Sequence, residues 1–229
     1  LPPIAEAGFR LIELHLDEAA VPFNWRNESD VARLEDELAR SGLRVWTVHS
    51  PPNDLGNLDP RIRHRQVDLL ERALDLADRL GAVAAVFHAA LRPWQVAEGT
   101  RTKRAFIHSL DRVVGHALEL TCAAGWENVF ASHSSFTPDR FADLLRSFPA
   151  EGLRFICDTG HANLDGGDLD RYVPALADRL VSWHLSDNLA DRDSHLLPGR
   201  GTLGLERLAK ACVDAGYLGP LVIEHLREG

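Results

Sequence analysis

In Phe155-Ile156-Cys157-Asp158-Thr159-Gly160-His161 an apolar run ends in a carboxylate, turns on glycine and presents an imidazole three residues later. Such a run reads as a buried strand with its polar residues at the exit. Leu180-Val181-Ser182-Trp183-His184 repeats the arrangement, and Asp193-Ser194-His195 adds a carboxylate and an imidazole on the loop that follows. Three more apolar runs, residues 43–49, 83–88 and 221–224, end in His49, His88 and Glu224. Neutral imidazole and ionised carboxylate are N/O ligands for zinc, manganese or iron, and they hold an ion only where several converge. A lone histidine is more often a hydrogen-bonded core residue or a solvated one. That plainer reading is kept for His64, His108, His116 and His225, while His15 and His133 are left open. For His49, His88, Asp158, His184 and Glu224 it would need several independent coincidences, all of ligand type and all at the same end of a strand. Metal binding or proton transfer is the better account of that group.

The elements that must position these residues alternate along the chain. Residues 5–8 read as a helix end stopped by Gly8, and residues 9–16 as a loosely alternating strand that ends in polar Glu13 and His15. A helix over 29–40 carries Val31, Leu34 and Leu38 at helical spacing before Gly42. Asp59-Pro60 caps a long helix with Val67, Leu70, Leu74 and Ala77 on one stripe, stopped by Gly81. A helix over 104–124, with Phe106, Leu110, Val113 and Ala117 inward, is expected to stop at Gly125, and a strand to run from Trp126 to Ala131. Thr137-Pro138 opens a helix bearing Phe141, Leu144, Leu145 and Phe148, and residues 205–215 form the last helix before the final strand. Strand and helix in strict alternation, with near-continuous apolar strands, predict a parallel sheet covered by helices.

Length and composition bound the function. The chain has 229 residues, enough for one large core, and no stretch reads as a linker, so one domain over 1–229 is expected. It is 45% hydrophobic and 26% charged, with no run long enough to span a bilayer. Three widely spaced cysteines in apolar surroundings suit reduced thiols, and with no secretory apolar region after Leu1 the expected location is the cytoplasm. A net charge of -9 and a pI near 5.6 argue against nucleic acid and for a small neutral or metal-chelated substrate. A homo-oligomer is compatible with all of this.

In an open doubly wound sheet the strand ends lie along a line, whereas in a (β/α)8 barrel they form a ring around one face, where active sites sit. Residues scattered as these are can surround one ion only in the ring. The segments His49-Ser50-Pro51-Pro52, Phe87-His88, Cys157-Asp158-Thr159-Gly160-His161, Trp183-His184-Leu185-Ser186-Asp187, Asp193-Ser194-His195 with Pro198-Gly199-Arg200-Gly201, and Val222-Ile223-Glu224 together resemble the xylose isomerase-like TIM barrels, also called AP endonuclease family 2. That family includes sugar isomerases and epimerases and zinc-dependent apurinic-site endonucleases. The resemblance implies a (β/α)8 TIM barrel that here lacks its first strand and last helix. It implies a divalent metal (Zn, Mn, Mg, Co or Fe) in a central site that includes Asp158, His184 and Glu224, with His49, His88, His161, Asp193 and His195 in flanking metal positions or substrate contacts.

The remaining central ligand of the family is a glutamate, usually in a Glu-Asn pair, at the end of its fifth strand. Glu127-Asn128 matches by motif, but a strand that begins at Trp126 puts Glu127 near the bottom of the barrel and Ala131 or Ser132 at the top. Arg200 stands where the family often has glutamate, and reads either as a surface loop residue or as an anion contact. The function implied is a metal-dependent sugar or polyol isomerase or epimerase in which Glu224 and Glu127, with raised pKa values, exchange a proton beside the carbonyl and His161 orients a hydroxyl. The alternatives are a phosphodiesterase using two or three ions and a barrel that binds a metal or sugar without turnover.

Overall fold

The computed structural model describes residues 1–16, 23–88, 100–130, 136–164, 166–167 and 169–225. Seven strands, β1 (Leu11–His15), β2 (Arg44–His49), β3 (Ala84–Phe87), β4 (Ala123–Glu127), β5 (Leu153–Asp158), β6 (Leu180–Leu185) and β7 (Leu221–Ile223), form one sheet in chain order with every neighbouring pair parallel. Helices connect them: α1 (Pro2–Glu6) precedes β1, and α2 (Glu28–Ser41), α3 (Pro60–Arg79), α4 (Thr100–Ala117) and α5 (Pro138–Arg146) follow the next strands in turn. Two helices, α6 (Thr159–Leu164) and α7 (Leu169–Leu176), lie between β5 and β6, and α8 (Leu205–Asp214) precedes β7. This is the α/β TIM-barrel fold, nearly closed. Among the described residues no helix is long and apolar enough to cross a membrane.

Local chemistry explains most of the boundaries. The Asn27 side chain accepts from the backbone N–H groups of Ser29 and Asp30 to start α2, and left-handed Gly42 ends it. Asp59 caps α3 through the Arg61 N–H, with Pro60 in the first turn where its missing donor costs nothing. The aromatic layer between sheet and helices centres on fully buried Trp126, whose ring lies 4.4 Å from Phe141, 5.7 Å from Phe106 and 6.4 Å from Phe87.

The fourth strand differs from the sequence expectation. The helix over 104–124 ends at Ala117, and Thr121 is then pinned by its backbone N–H and hydroxyl, which both donate to Asp78 Oδ1. The strand begins at Ala123, so Gly125 lies inside it and is no helix stop. A Cβ on Gly125 would sit 3.0 Å from Ile156 Cγ1 and 3.2 Å from Ala84 Cβ, so the residue is glycine because the barrel interior closes on it. The register moves accordingly, and Glu127 takes the top of β4. Ala131, Ser132 and His133 lie outside the described residues.

Candidate active site

The C-terminal rim gathers the residues singled out above. His49, Glu127 and Asp158 end β2, β4 and β5; His184 is the penultimate residue of β6; His88 and Glu224 follow β3 and β7 directly. His161 lies in the first turn of α6, and Asp193 and His195 on the loop between β6 and α8. Glu127 is the hub. Its Oε2 lies 3.0 Å from His88 Nε2, 3.2 Å from His184 Nδ1 and 3.4 Å from His49 Nε2, and its Oε1 lies 3.4 Å from His161 Nδ1. Glu224 Oε2 stands 3.3 Å from His184 Nδ1 and its Oε1 3.7 Å from His195 Nδ1. Asp193 Oδ2 bridges His161 Nε2 at 3.3 Å and His195 Nε2 at 3.2 Å.

The donor set fits a divalent ion. Glu127, Asp158, His184 and Glu224 each bring a ligand atom within 4.8 Å of the others, and His49, His88 and Glu127 form a second such group. Glu127 Oε2, Asp158 Oδ2, His184 Nδ1 and Glu224 Oε2 are all buried without a hydrogen-bond partner. Such atoms are costly to leave unpaired, and here they face one another. Two imidazoles have their orientation fixed by carbonyls: His49 Nδ1 donates to the Ser50 oxygen at 3.0 Å, and His161 Nδ1 to the Asn128 oxygen at 2.8 Å. The other nitrogen of each ring therefore faces the rim carboxylates.

Electrostatics follow from packing carboxylates against histidines. Burial alone would push Glu127 up, but the His88 and His184 charges and the His161 and His184 contacts outweigh it and hold the carboxyl well below its usual range. Glu224 is likewise lowered, with burial opposed by His184. The expectation of raised values for these two glutamates is thus corrected: the surrounding imidazoles keep both ionised in the metal-free protein. Asp158 goes the other way, to about 7, through burial, only partly offset by His161, with Glu127 and Glu224 repelling its charge. Burial disfavours the charged forms of His184 and His161, yet Glu13 and Glu127 around the first and Asp158 and Asp193 around the second keep both well above the usual imidazole value.

Several contributors were not singled out from the sequence. Asn128 ties two strand ends together: its Nδ2 donates to the Asp158 carbonyl at 2.9 Å and its Oδ1 accepts from the Asp158 N–H at 2.8 Å. Glu13, half-buried on β1, accepts from His184 Nε2 at 3.0 Å and from Thr47 Oγ1 at 2.7 Å. Its only sequence signal was the polar Glu13-x-His15 end of a weakly alternating strand. His15 stacks on His49 at 4.3 Å between ring centroids. His225 and His116 keep the plain reading: exposed His225 donates from Nδ1 to the His195 carbonyl, and His116 pairs with Asp75 on the surface. Arg200 is exposed on its loop.

The loop that carries Asp193 and His195 is organised by fully buried Asp187. Asp187 Oδ1 accepts from the N–H groups of Asn188 and Leu203, and Oδ2 from those of Gly199 and Gly201, at 2.9–3.1 Å. Its own backbone pairs with that of Leu196 in both directions at 2.8 Å. Gly201 has no room for a side chain, since a Cβ there would stand 2.2 Å from the Asn188 carbonyl oxygen.

Known proteins resemble this chain in sequence and in fold. An uncharacterised protein of Sinorhizobium fredii is 26% identical over 225 residues, 96% of this chain and 68% of that one. The ketose 3-epimerase of Arthrobacter globiformis is 26% identical over 228 residues, 96% of this chain and 74% of that enzyme. Among solved structures, a D-tagatose 3-epimerase-like protein superposes with a TM-score of 0.86 at 22% identity, covering 97% of this chain and 84% of its own. The D-allulose 3-epimerase of Methylomonas sp., solved with D-allulose, superposes with a TM-score of 0.77 at 22% identity over 96% of this chain and 74% of its own. At these identities the structural likeness establishes the fold. The sequence profile of the xylose isomerase-like TIM barrels matches residues 1–229, and the chain belongs to that family.

Proposed function

We propose that residues 1–229 form one catalytic domain, a metal-dependent isomerase or epimerase of small ketose sugars or related polyols. The observation that carries this reading is the convergence of four orphaned, buried ligand atoms, on Glu127, Asp158, His184 and Glu224, from the ends of four consecutive strands. The ketose substrate class is supported by the Arthrobacter globiformis relative. Three carboxylates and one imidazole suit Mn, Mg, Co, Zn or Fe(II). When bound, such an ion polarises a carbonyl and offsets the negative charge that develops as a neighbouring C–H proton leaves. One of Glu224 and Glu127, ionised among its histidines, takes that proton on one face of the sugar, and the other, having first picked up a proton from solvent, gives one back on the opposite face. His161, locked by the Asn128 carbonyl, turns Nε2 toward Asp193 and orients a substrate hydroxyl.

A second reading has its own observation. The His49, His88 and Glu127 group, with His161, Asp193 and His195 alongside, offers positions for a second and third ion, the arrangement used to hydrolyse phosphodiesters. The net charge of -9 weighs against a nucleic acid substrate.

The test is solvent deuterium exchange, followed by NMR, into a panel of ketohexoses with metal-loaded protein. Exchange is expected in at least one ketose and is expected to be lost in Glu127→Gln and Glu224→Gln. No exchange into any ketose, with two or three ions per chain by elemental mass spectrometry and chelator-sensitive cleavage of an abasic-site duplex, would move the assignment to the hydrolase.

A further inference from the structure

Glu13 belongs to neither candidate ligand group, yet it contacts a member of one. Its position comes from an irregularity. The pairing of β1 with β2 shifts between Ile12 and Glu13, so that Ile12 faces Val45 while Glu13 faces Thr47, and Trp46 is the extra residue. A bulge of this kind re-aims a side chain next to a site. Here it sets Glu13 beside Thr47, which is fully buried, and Thr47 Oγ1 donates to Glu13 Oε2 at 2.7 Å. The same oxygen receives His184 Nε2 at 3.0 Å.

An imidazole that binds an ion offers one nitrogen lone pair and keeps its proton on the other nitrogen. A carboxylate acceptor on that second nitrogen fixes the tautomer and the ring plane and makes the ligand more basic. His184 has this arrangement: Nε2 is taken by Glu13, and Nδ1 faces Glu127 Oε2 at 3.2 Å and Glu224 Oε2 at 3.3 Å. The His184 side chain is fully buried and that of Glu13 is 8% exposed, so water has little access to take over the bond.

We propose that Glu13, itself held by Thr47, is a positioning residue that fixes the proton of His184 on Nε2 and so sets the affinity of the Glu127–Asp158–His184–Glu224 cluster for a divalent ion. The inference rests on the metal-binding reading above. Glu13 touches neither ion nor substrate in this role; it acts through His184.

The test is Mn2+ affinity, measured against a competing fluorescent chelator, for wild type, Glu13→Gln, Glu13→Ala and Thr47→Val. Glu13→Gln keeps the shape and removes the charge, and its affinity is expected to fall about 10–100-fold. Glu13→Ala falls further and Thr47→Val severalfold. A purely structural role for Glu13 predicts instead that the glutamine variant binds like wild type and that only melting temperatures move. In the Zn2+-loaded protein, the exchangeable Nε2 proton of His184 should appear downfield in the 1H spectrum of wild type and vanish in Glu13→Ala. If the alanine variant does not fold, the glutamine and Thr47→Val variants carry the test, because both keep the side-chain volume. Wild-type protein that binds Mn2+ while Glu13→Gln binds it within twofold overturns this inference and leaves the metal reading intact. Wild-type protein that binds neither Mn2+ nor Zn2+ overturns both.

Discussion

Replacing Asp187 by asparagine tests how the rim loop is held. The carboxylate is fully buried and accepts four backbone N–H groups, two on each oxygen. An amide can accept on one atom only. If its oxygen keeps the pair from Asn188 and Leu203, both buried, its NH2 group confronts the N–H groups of Gly199 and Gly201. Two hydrogen bonds to a charged acceptor, each contributing about 1.5–3 kcal/mol, are then lost. Gly199 is exposed and can turn its N–H to water, which recovers roughly one of them. The expected loss is about 1.5–3 kcal/mol, read from urea denaturation of metal-free wild type and variant with matched slopes. Because Asp193 and His195 ride on the same loop, the variant should also lose activity in the ketose exchange assay beyond what its folded fraction explains. A variant within about 1 kcal/mol of wild type would show that the four contacts do not organise the loop.

Two further outcomes follow from the shifted groups. Burial raises the thiols of Cys157 and Cys122, the latter to about 12, so at pH 8 the Cys122 thiolate fraction is on the order of 10^-4. Iodoacetamide at pH 8 should leave both unmodified in the folded protein and label them in urea, read by intact mass; a fast adduct on either when folded would contradict the burial. The raised imidazoles give a signed pH effect. His184 and His161 hold a second ring proton to higher pH than a free imidazole in the metal-free protein, and the stability they lend it is present below the ordinary imidazole value and lost as pH rises through their raised values. An ion bound at His184 expels that proton, so apparent affinity should fall about tenfold per pH unit for each proton released as pH drops. Calorimetry in two buffers of different ionisation enthalpy should show at least one proton released with the first ion, and none would contradict the assignment.

The strand-end residues were legible because apolar packing gives no reason for ligand-type residues to recur at the same end of successive strands, and the ring arrangement follows from strict alternation of strand and helix. Glu127 was harder. Gly125 carries the same letter whether it stops a helix or admits a neighbouring strand, and only Ile156 and Ala84 pressing on it decide between the two. The motif Glu127-Asn128 pointed the right way because Asn128 must reach the backbone of Asp158 on the next strand, and it can do so only from the top of β4. Glu13 and Asp187 were not legible as site residues. Each acts across more than ten residues of sequence, Glu13 on His184 and Asp187 on Gly199 through Leu203, and neither spacing has a local signature.

The same geometry divides the labour between the rim of the barrel and the layer between its sheet and helices. Backbone pairing runs from β1 to β7 and, among the described residues, does not join β7 back to β1. Between the sheet and its helices, the elements are held by apolar packing around Trp126, Phe141, Phe106 and Phe87, which is indifferent to protonation. At the rim the strands are tied instead through chargeable side chains: His184 on β6 reaches Glu13 on β1 and Glu127 on β4, and Glu127 reaches His49 on β2. Apolar contacts keep their strength when an ion or proton is exchanged, whereas these ties change with every such exchange. The rim can therefore respond to its ligand without endangering the fold, and a residue such as Glu13 can be tuned for affinity while the core beneath it stays the same.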